Sequence, residues 1–588
     1  MTAPSQAVLA DPSEDEVQKT PESRGMLLQA RGVTVRTPAG VNLLSDISFH
    51  IEPGELIALT GLTYTQKSTL LQSLAGLMKP LSGEILIDGV ELYANLKAFR
   101  SSIGFVPAQF AVPENLTVIE VLQDAARLRL PRRISSDDRM HRLASLLETV
   151  GLRQVLDRRA GVLSGVEKRK LSIAVELIGD PAILLVDESA QQLSPFDEMQ
   201  ITVLLRELSR QGVTIIQADQ RARSAGLSDK IIFLGPGGCL GWFGPSDEAF
   251  AYLRGFLPKG IARDLFSLKE ALEILANPQP DQGIEWAKRF RAHEAYQKYV
   301  DDPLQNRYPD LLLQTSPLLR LRSRNSSKEN LPPTVVPGAN FAQKLILLIK
   351  RNFRSLRRDK AGLATLAIPP LVALADFVLS SSTQSDPSRT PIVSSVLVFL
   401  ILLTAALLGQ NEIFKERAVY QREARNTSLA LPYILSKACL VGILAIYQGL
   451  VWSTIHFIAT GAAGGIQTFA LYGVTFILVA FVGGILGLVA SALSRTPLTI
   501  TSLVLLLTIP QLLLNGSTVP LADLSLPLRV LSGLNPSRYA VEVVLAANVQ
   551  GAGLGATPWG HWSAVAMLSL GLMLLLLAIQ QRAGTAAG

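Results

Sequence analysis

Hydrophobic and polar positions follow two different patterns along the chain. Up to about residue 340, short apolar runs alternate with segments whose apolar positions recur at helical spacing. Runs such as 183–186 and 213–216 are apolar throughout, as expected of strands buried on both faces of a mostly parallel sheet. Beyond residue 340 the apolar runs become long and the charges sparse. The pattern predicts a soluble α/β domain followed by a membrane domain.

Six of the long apolar runs approach the roughly 20 residues that a membrane-spanning helix needs. The loop between 411 and 437 is rich in lysine and arginine, whereas 381–390 has one arginine and 461–466 has none. By the positive-inside rule the basic loops, and with them both termini, are cytoplasmic. We therefore expect an integral, multi-pass membrane protein and favour the plasma membrane as its location. The predicted spans are 362–380, 391–409, 437–460, 467–492, 497–515 and 562–581.

Changes in composition set the boundaries between these parts. The first residues are polar and lack an apolar signal-like run, and the stretch before residue 340 is rich in proline and polar residues. A basic amphipathic helix follows, which should lie along an anionic membrane surface. The predicted segments are a disordered tail (1–25), an α/β domain with an inserted helical subdomain (26–257), a linker (258–340), a connecting helix (341–361) and a membrane domain (362–588).

Net charge limits the classes of binding partner, and cysteine content bears on disulfides and metal sites. A net charge of +7 points to an anionic partner, for which nucleic acid and the inner face of a membrane are the usual candidates. Because apolar spans are present, membrane lipid is the simpler partner, and no nucleic acid is expected. Cys239 and Cys439 lie far apart in unlike contexts, so neither a disulfide framework nor a metal cluster is indicated.

Candidate chemistry begins in the stretch from Gly61 to Thr69. It lies between the apolar run 56–60 and a helical segment, and Lys67-Ser68 opens that helix. Strand, tight loop and helix in this order are the layout of a phosphate-binding loop, in which backbone N–H groups face polyphosphate. The general pattern places glycine directly before the lysine, but Gln66 stands there. The stretch therefore predicts the fold of a nucleotide site and leaves its chemistry open.

Five later stretches follow this loop in a fixed order. They are Ile103–Pro107 with Ala108-Gln109, Val162–Lys170, Ala182–Glu188, Gln191–Ser194 and Thr214–Gln220. With the loop they resemble the Walker A, Q-loop, signature, Walker B, D-loop and switch motifs of an ABC transporter. One such domain ahead of six spans resembles the half-transporters of the G subfamily, and Phe414–Glu423 is similar to a stretch that follows the second span in that subfamily.

This resemblance implies a fold and a function. The fold is an α/β P-loop nucleotide-binding domain with helical subdomain, followed by an all-α six-span ABC-2/G-type transmembrane domain. The cofactors are ATP and Mg²⁺, and the activity is that of an ATP-hydrolysing translocase. The chain would work as a homodimer or a heterodimer with a second ABC half-transporter, exporting a small apolar or amphipathic substrate.

The resemblance also assigns roles to residues. Lys67 would neutralise the β- and γ-phosphates, Glu188 would polarise the attacking water, and Asp219 occupies the catalytic switch position where the family has histidine. Ser164 and Gly165 would reach the nucleotide of the dimer partner. The cofactor-binding positions are Gly61, Tyr64, Gln66, Lys67, Ser68, Thr69, Gln109, Ser164, Gly165 and Glu167, and the Mg²⁺ ligands are Ser68, Asp187 and Gln109.

Six departures from the family pattern fall along the nucleotide path. Missing glycines matter because bulky residues enter positive φ only at a cost of about 1–2 kcal/mol. An aspartate at the switch position would repel the γ-phosphate rather than donate to it. The departures are Tyr64, Gln66, Ala108 in the aligned glutamine position, Val166, the loss of the D-loop aspartate in Gln191–Ser194, and Asp219. Together they predict an ATP site with lost or reduced hydrolysis.

Several alternatives stay open at this stage. The chain is either a transporter half with an impaired site or, as the runner-up, a non-hydrolysing regulatory or scaffolding membrane subunit; a channel or polysaccharide exporter of related fold is a third reading. Asp376 in the first span belongs either to a substrate path or to a helix-end or interface position. His456 and Trp452 either line a cavity or pack. The charged cluster Glu412, Glu416, Arg417, Arg422 and Glu423 resembles a coupling helix, with a solvated loop as its alternative.

Overall fold

The fold is taken from a computed structural model, which describes most of the chain. Its residues form two compact units, 1–108 with 180–334 and 109–179 with 335–588, and each is treated by itself below. The described residues are 25–61, 63–131, 133–187, 193–219, 223–255, 282–306, 339–383, 387–426, 429–461, 465–550 and 559–585. The predicted tail, most of the linker and Glu188 lie outside these ranges.

A six-stranded sheet forms the centre of the first unit. Its strand order is β10-β9-β3-β8-β7-β6. Strands β6, β7, β8, β3 and β9 pair in parallel, and β10 joins the edge antiparallel. The strands are β3 (Leu56–Gly61), β6 (Ile103–Val106), β7 (Ile183–Val186), β8 (Thr214–Ala218), β9 (Lys230–Leu234) and β10 (Leu240–Gly244). The mostly parallel sheet predicted from the fully apolar runs is confirmed.

A second sheet in this unit has four antiparallel strands in the order β2-β1-β4-β5. Its strands are β1 (Leu28–Arg36), β2 (Asn42–Ile51), β4 (Ser82–Ile87) and β5 (Val90–Glu91). The inner face contributes Val33, Ile47 and Phe49 to the core shared with the parallel sheet. Half-buried antiparallel strands alternate in polarity and are less conspicuous in sequence than fully apolar runs.

Helices complete the first unit. The helix that follows β3, here called the loop helix, is Tyr64–Leu74, and three others are Pro195–Arg210, Ser246–Arg254 and Gln282–Arg291. The last of these lies within the predicted linker, yet its Trp286 and Phe290 are buried in the core beside Phe233 and Trp242. This part of the stretch assigned to a linker is therefore built into the domain, while the domain boundaries themselves stay a prediction.

The second unit begins with the predicted helical subdomain. Its helices are Val118–Arg129, Ser136–Thr149 and the signature helix Gly165–Leu177. Local sequence fixes their starts, because Thr117 with Glu120 and Ser164 with Glu167 form capping boxes. The connecting helix, Phe341–Arg358, and the coupling helix, Arg417–Asn426, belong to the same unit.

The rest of the second unit is helical and apolar. Five helices are long and apolar enough to cross a membrane: Gly362–Ser381, Thr390–Gly409, Ala430–Ala459, Gly465–Leu493 and Trp559–Gln581. We call them the first, second, third, fourth and last spans. The remaining predicted span corresponds to the shorter apolar helix Pro497–Leu513. Within the described residues, five helices therefore qualify as spans by length and composition, and a sixth stays a prediction. The third span begins at Ala430, before the predicted 437.

Glycines bring the second and fourth spans close together. A Cβ on Gly483 would come within 2.3 Å of the carbonyl oxygen of Leu402, and one on Gly487 within 2.3 Å of that of Ala406. No side chain fits at such a distance, so the two helix backbones touch here. Close approach through small residues is a main source of helix association in membranes.

Candidate nucleotide-binding site

The carboxyl ends of β3, β7 and β8 bring the predicted chemistry to one edge of the parallel sheet. Asp187 follows β7, and its N–H donates to the carbonyl of Val106 at 2.9 Å. Asp219 follows β8, and its N–H donates to the carbonyl of Leu59 at 2.9 Å. Ligand sites of open α/β sheets lie at this edge. The fold thus places the loop helix, Asp187 and Asp219 together, as the sequence predicts.

Ser68 and Asp187 form a direct pair. The Ser68 hydroxyl donates to Oδ2 of Asp187 at 2.8 Å, and the side-chain amide of Gln72 donates to Ser68 Oγ at 3.0 Å. Both members of the pair are buried. A hydroxyl and a carboxylate are oxygen ligands of the kind that Mg²⁺ takes. Two of the three predicted Mg²⁺ ligands are therefore adjacent.

Lys67 has a partner within the protein. The loop helix already begins at Tyr64, so residues 64–66 are wound into its first turn ahead of Lys67. The Lys67 ammonium donates to the backbone carbonyl of Asp219 at 3.1 Å, and the side chain is only 1% exposed. In a phosphate-binding loop, residues before the lysine instead wrap the phosphates with their N–H groups. Here the lysine joins two elements of the protein.

The carboxylate of Asp219 accepts hydrogen bonds from a residue five positions further along the chain. Its Oδ2 accepts from the Ser224 N–H at 2.6 Å and from the Ser224 hydroxyl at 2.7 Å. Ser224 lies in the short helix Arg223–Leu227. The switch position therefore anchors the chain that follows β8.

Three other loop positions have identifiable surroundings. A Cβ on Gly61 would come within 2.9 Å of Leu234 on β9, so this glycine is required by strand packing. The Tyr64 ring is 47% exposed at the start of the loop helix. The side-chain oxygen of Gln66 is buried without a hydrogen-bond partner among the described residues. Thr69 is buried in the second turn.

The remaining predicted ligands are in the second unit. Ser164 caps the signature helix, accepting from the Glu167 N–H at 3.3 Å, while its own N–H donates to the Glu167 carboxylate at 2.7 Å. Gly165 is the first residue of that helix. Burial opposes the charge of Glu167, yet the hydrogen bonds from Ser164 and the nearby Arg158 hold its pKa below the usual value. Gln109 is exposed at the start of this unit.

Arginines of the connecting helix form a set of ion pairs that the sequence did not reveal. Nη1 of Arg351 lies 2.7 Å from Glu423 of the coupling helix. Arg354 lies 2.6 Å from Asp124 of the helical subdomain, and Arg358 pairs with Glu120. We expected this basic face to meet anionic lipid, and for these three arginines that is wrong, because protein carboxylates bind them. Their spacing on one helix face was the available signal.

A second buried pair joins the helical subdomain to the coupling helix. Glu176 accepts from Arg129 at 2.8 and 3.0 Å, and Arg422 approaches it to 3.9 Å. Burial opposes ionisation, but the two guanidinium groups hold the pKa of Glu176 below its usual value. Burial lowers the pKa of Arg422 to about 10, which leaves it charged at neutral pH. The coupling helix is thus packed in a charged interface rather than being a solvated loop.

Two family models match the chain. The model described as ABC transporter matches residues 44–191, and the model described as ABC-2 type transporter matches residues 343–548. The chain belongs to the ABC transporter family. The two matched regions are its ATPase domain and its membrane domain, and the relatives below are consistent with a G-type half-transporter.

The family is also represented among curated relatives. An ABC transporter ATP-binding/permease protein of Mycobacterium tuberculosis is 25% identical over 88% of this chain and 57% of its own length. The broad substrate specificity ATP-binding cassette transporter of Rattus norvegicus is 28% identical over 63% of this chain and 58% of its own length. ATP-binding cassette sub-family G member 5 of Mus musculus is 24% identical over 86% of this chain and 78% of its own. The chain thus spans less than two thirds of the first two.

An ATP binding subunit of an ABC transporter aligns over 43% of this chain and 100% of that chain, with 25% identity and a TM-score of 0.36.

An ABC ATPase domain implies ATP, usually with Mg²⁺. The Ser68–Asp187 pair fits the metal ion. The polyphosphate does not fit equally well, because the residues that should cradle it form a helical turn and the lysine that should neutralise it binds a carbonyl.

Proposed function

We propose that this ABC transporter is one half of a dimeric exporter for a small apolar or amphipathic substrate, and that its own ATP site is impaired. A heterodimer with a competent half-transporter would then supply most of the ATP turnover. The termini would be cytoplasmic and the membrane the plasma membrane, as the charge distribution of the loops indicates.

The contact of Lys67 with the Asp219 carbonyl carries the proposal of an impaired site. Binding a γ-phosphate through this lysine would require that hydrogen bond to break and the first turn of the loop helix to unwind. Tyr64 and Gln66 oppose unwinding, because they are compatible with a helix, whereas glycine at these positions would weaken it by roughly 1 kcal/mol each. The same substitutions that remove the phosphate loop thus favour the helix that replaces it.

Retained features support a transporter half over a silent scaffold. The Ser68–Asp187 pair remains, and Ser164 keeps the capping box that positions the start of the signature helix. The charged contacts between the helical subdomain and the coupling helix are also in place. A subunit without a role in transport would not need buried ion pairs at this junction, since breaking them is costly and replacing them by apolar residues is often neutral.

The decisive experiment is ATPase activity of the purified chain in lipid. Alone it should turn over slowly with Mg²⁺, and Glu188→Gln should change that rate little. Brisk turnover that Glu188→Gln abolishes would contradict the impaired site.

Copurification then separates exporter from regulator. A half-transporter that binds this chain and restores both ATPase and transport supports the heterodimeric exporter. A complex that hydrolyses ATP but moves no substrate supports the regulatory alternative.

A further inference from the structure

Two ionisable side chains meet inside the membrane-spanning helices. Asp376 lies in the second half of the first span and His456 in the last turn of the third span, and both are 1% exposed. Nδ1 of His456 is 3.2 Å from Oδ2 of Asp376. Ser380, one turn beyond Asp376, donates to Oδ1 at 2.7 Å and lies 3.3 Å from the same imidazole nitrogen. Asp376 therefore lies at a contact between the first and third spans, five residues before the last residue of the first span.

The surroundings of this pair are aromatic and almost uncharged. The rings of Tyr472 and Phe476 on the fourth span meet the His456 ring edge-on, with centroids 4.8 and 5.7 Å away. Tyr472 is the titratable group that the fourth span presents, and the second span carries no charged residue. Arg389 lies in the short helix after the first span, and Lys437 is near the opposite end of the third span, where it binds Glu412 and Glu416.

Charge balance decides what such a pair can do. A carboxylate buried away from water is unfavourable unless a cation or a proton accompanies it. Among the described contacts of Asp376, His456 is the residue that can carry a positive charge. One added proton makes the pair neutral overall, as carboxylate with imidazolium, and its loss leaves a buried negative charge. The packed arrangement therefore favours the pair with its proton.

His456 has a free position for this chemistry. Its Nε2 is buried and makes no hydrogen bond with the described residues. The same holds for Nε1 of Trp452 and Oε1 of Gln448, which precede it by one and two turns on one face of the third span. At the helical rise these three atoms mark a row about 12 Å long. The face of the third span next to the pair therefore contains buried polar atoms and is not wholly apolar.

We infer that Asp376 and His456 form a proton-binding site within the membrane domain, whose occupancy is linked to the packing of the first span against the third. The proton comes from hydronium in bulk water, where an O–H bond breaks as the N–H bond forms, and it returns to water when the N–H bond breaks. Because linkage is reciprocal, a proton that stabilises the packed spans is bound more tightly while they are packed. The site shares no residue with the candidate nucleotide site, so it stands whether or not the chain hydrolyses ATP.

The direct test follows the charge of His456 by NMR on the full chain in lipid bilayers with isotope-labelled histidine. The chain has five histidines, and His456→Gln identifies the relevant signal by its loss. If the pair binds a proton, the wild-type ring should change from neutral to cationic as the buffer is acidified. In Asp376→Asn it should stay neutral throughout, because the imidazolium has lost its counter-ion. Ser381→Ala is the matched control: its hydroxyl donates to the Val378 carbonyl outside the pair, so the variant keeps both ionisable groups and should keep the transition.

Hydrogen exchange of the first span tests the linkage. Protection of its amides, corrected for the intrinsic pH dependence, should be greater at about pH 5 than at about pH 8, and Asp376→Asn should remove the difference. A His456 ring that keeps one charge state in the wild type overturns the proton site, whether or not a variant folds. Protection that does not change with pH while the ring titrates overturns the linkage.

Discussion

Nζ of Lys67 donates to the backbone carbonyl oxygen of Asp219 at 3.1 Å. The bond ties the loop helix to the end of β8, the two elements from which an ABC site would contact the γ-phosphate. Restoring glycine at positions 64 and 66 should weaken the loop helix and so make Lys67 available to phosphate. In Tyr64→Gly/Gln66→Gly the first helical turn is weakened by roughly 1 kcal/mol per substitution. We expect Mg-ATP affinity to rise by about tenfold, measured with a fluorescent nucleotide on the purified chain.

Thr65→Gly is the matched control for this variant. It weakens the same helical turn but introduces no glycine at a position where the family has one. An equal gain in Thr65→Gly, or no gain in the double variant, would show that the helical turn does not limit nucleotide binding.

The same hydrogen bond should contribute to stability. Lys67→Met keeps most of the buried aliphatic chain but leaves the Asp219 carbonyl without this donor, and hydrogen bonds to charged groups contribute about 1.5–3 kcal/mol. We expect a lower unfolding temperature for the full chain in detergent. Lys79→Met, at an exposed position, should change stability by less than about 0.5 kcal/mol. Equal stability of the two variants would mean that Lys67 is not held as described.

A larger effect on stability is expected for the Arg351–Glu423 pair, because both groups are largely buried, with side-chain exposures of 3% and 10%. Burial opposes the charge, but Glu423 and Glu416 raise the pKa of Arg351. Arg351→Met should destabilise by about 3–5 kcal/mol, since buried Glu423 loses the guanidinium that binds it. Arg351→Met/Glu423→Leu should recover most of that loss. A double variant no more stable than the single one would contradict the pairing.

Protonation of Glu120 in acid should weaken its ion pair with Arg358. Burial opposes ionisation, yet Arg358, the Thr117 N–H and Arg354 lower the pKa of Glu120 from 4.5 to about 2. A lowered pKa means that the stabilisation is complete above about pH 4.5 and is lost as the pH falls towards about 2. The unfolding temperature should fall over that window, and less steeply in Glu120→Gln. Parallel pH profiles for wild type and variant would refute the assignment.

Sequence predicted the parts of this fold that depend on local pattern. The parallel strands β7 and β8 were visible as uninterrupted apolar runs, and the Ser164 helix start was visible from its capping residues. The Arg354–Asp124 contact was not, because its partners are 230 residues apart and each alone resembles a solvated charge. The connecting helix was correctly predicted to be amphipathic. Its sequence does not show whether its arginines bind lipid phosphates or protein carboxylates.

The candidate nucleotide site divides in the same way. The convergence of Lys67, Ser68, Asp187 and Asp219 could be predicted from the resemblance of their motifs to those of ABC transporters. The start of the loop helix at Tyr64 could not be predicted. A phosphate-binding loop and a helical turn differ in the backbone conformation of only three or four residues, and the two conformations differ in free energy by only a few kcal/mol. The Lys67 contact depends on that start. Nucleotide affinity therefore depends on the backbone conformation of the residues before Lys67, and the sequence motif does not reveal that conformation.

Packing of the membrane helices gives the last prediction. Gly487 faces the carbonyl of Ala406 so closely that an added Cβ would lie 2.3 Å from it. Gly487→Ala must therefore push the second and fourth spans apart, at a cost of about 1–3 kcal/mol or more for overpacking. Gly473→Ala is the matched control on the same helix, since its Cβ would meet nothing within 4 Å. Unfolding in bicelles should separate the two variants, and equal stability would mean that the spans do not touch at these glycines.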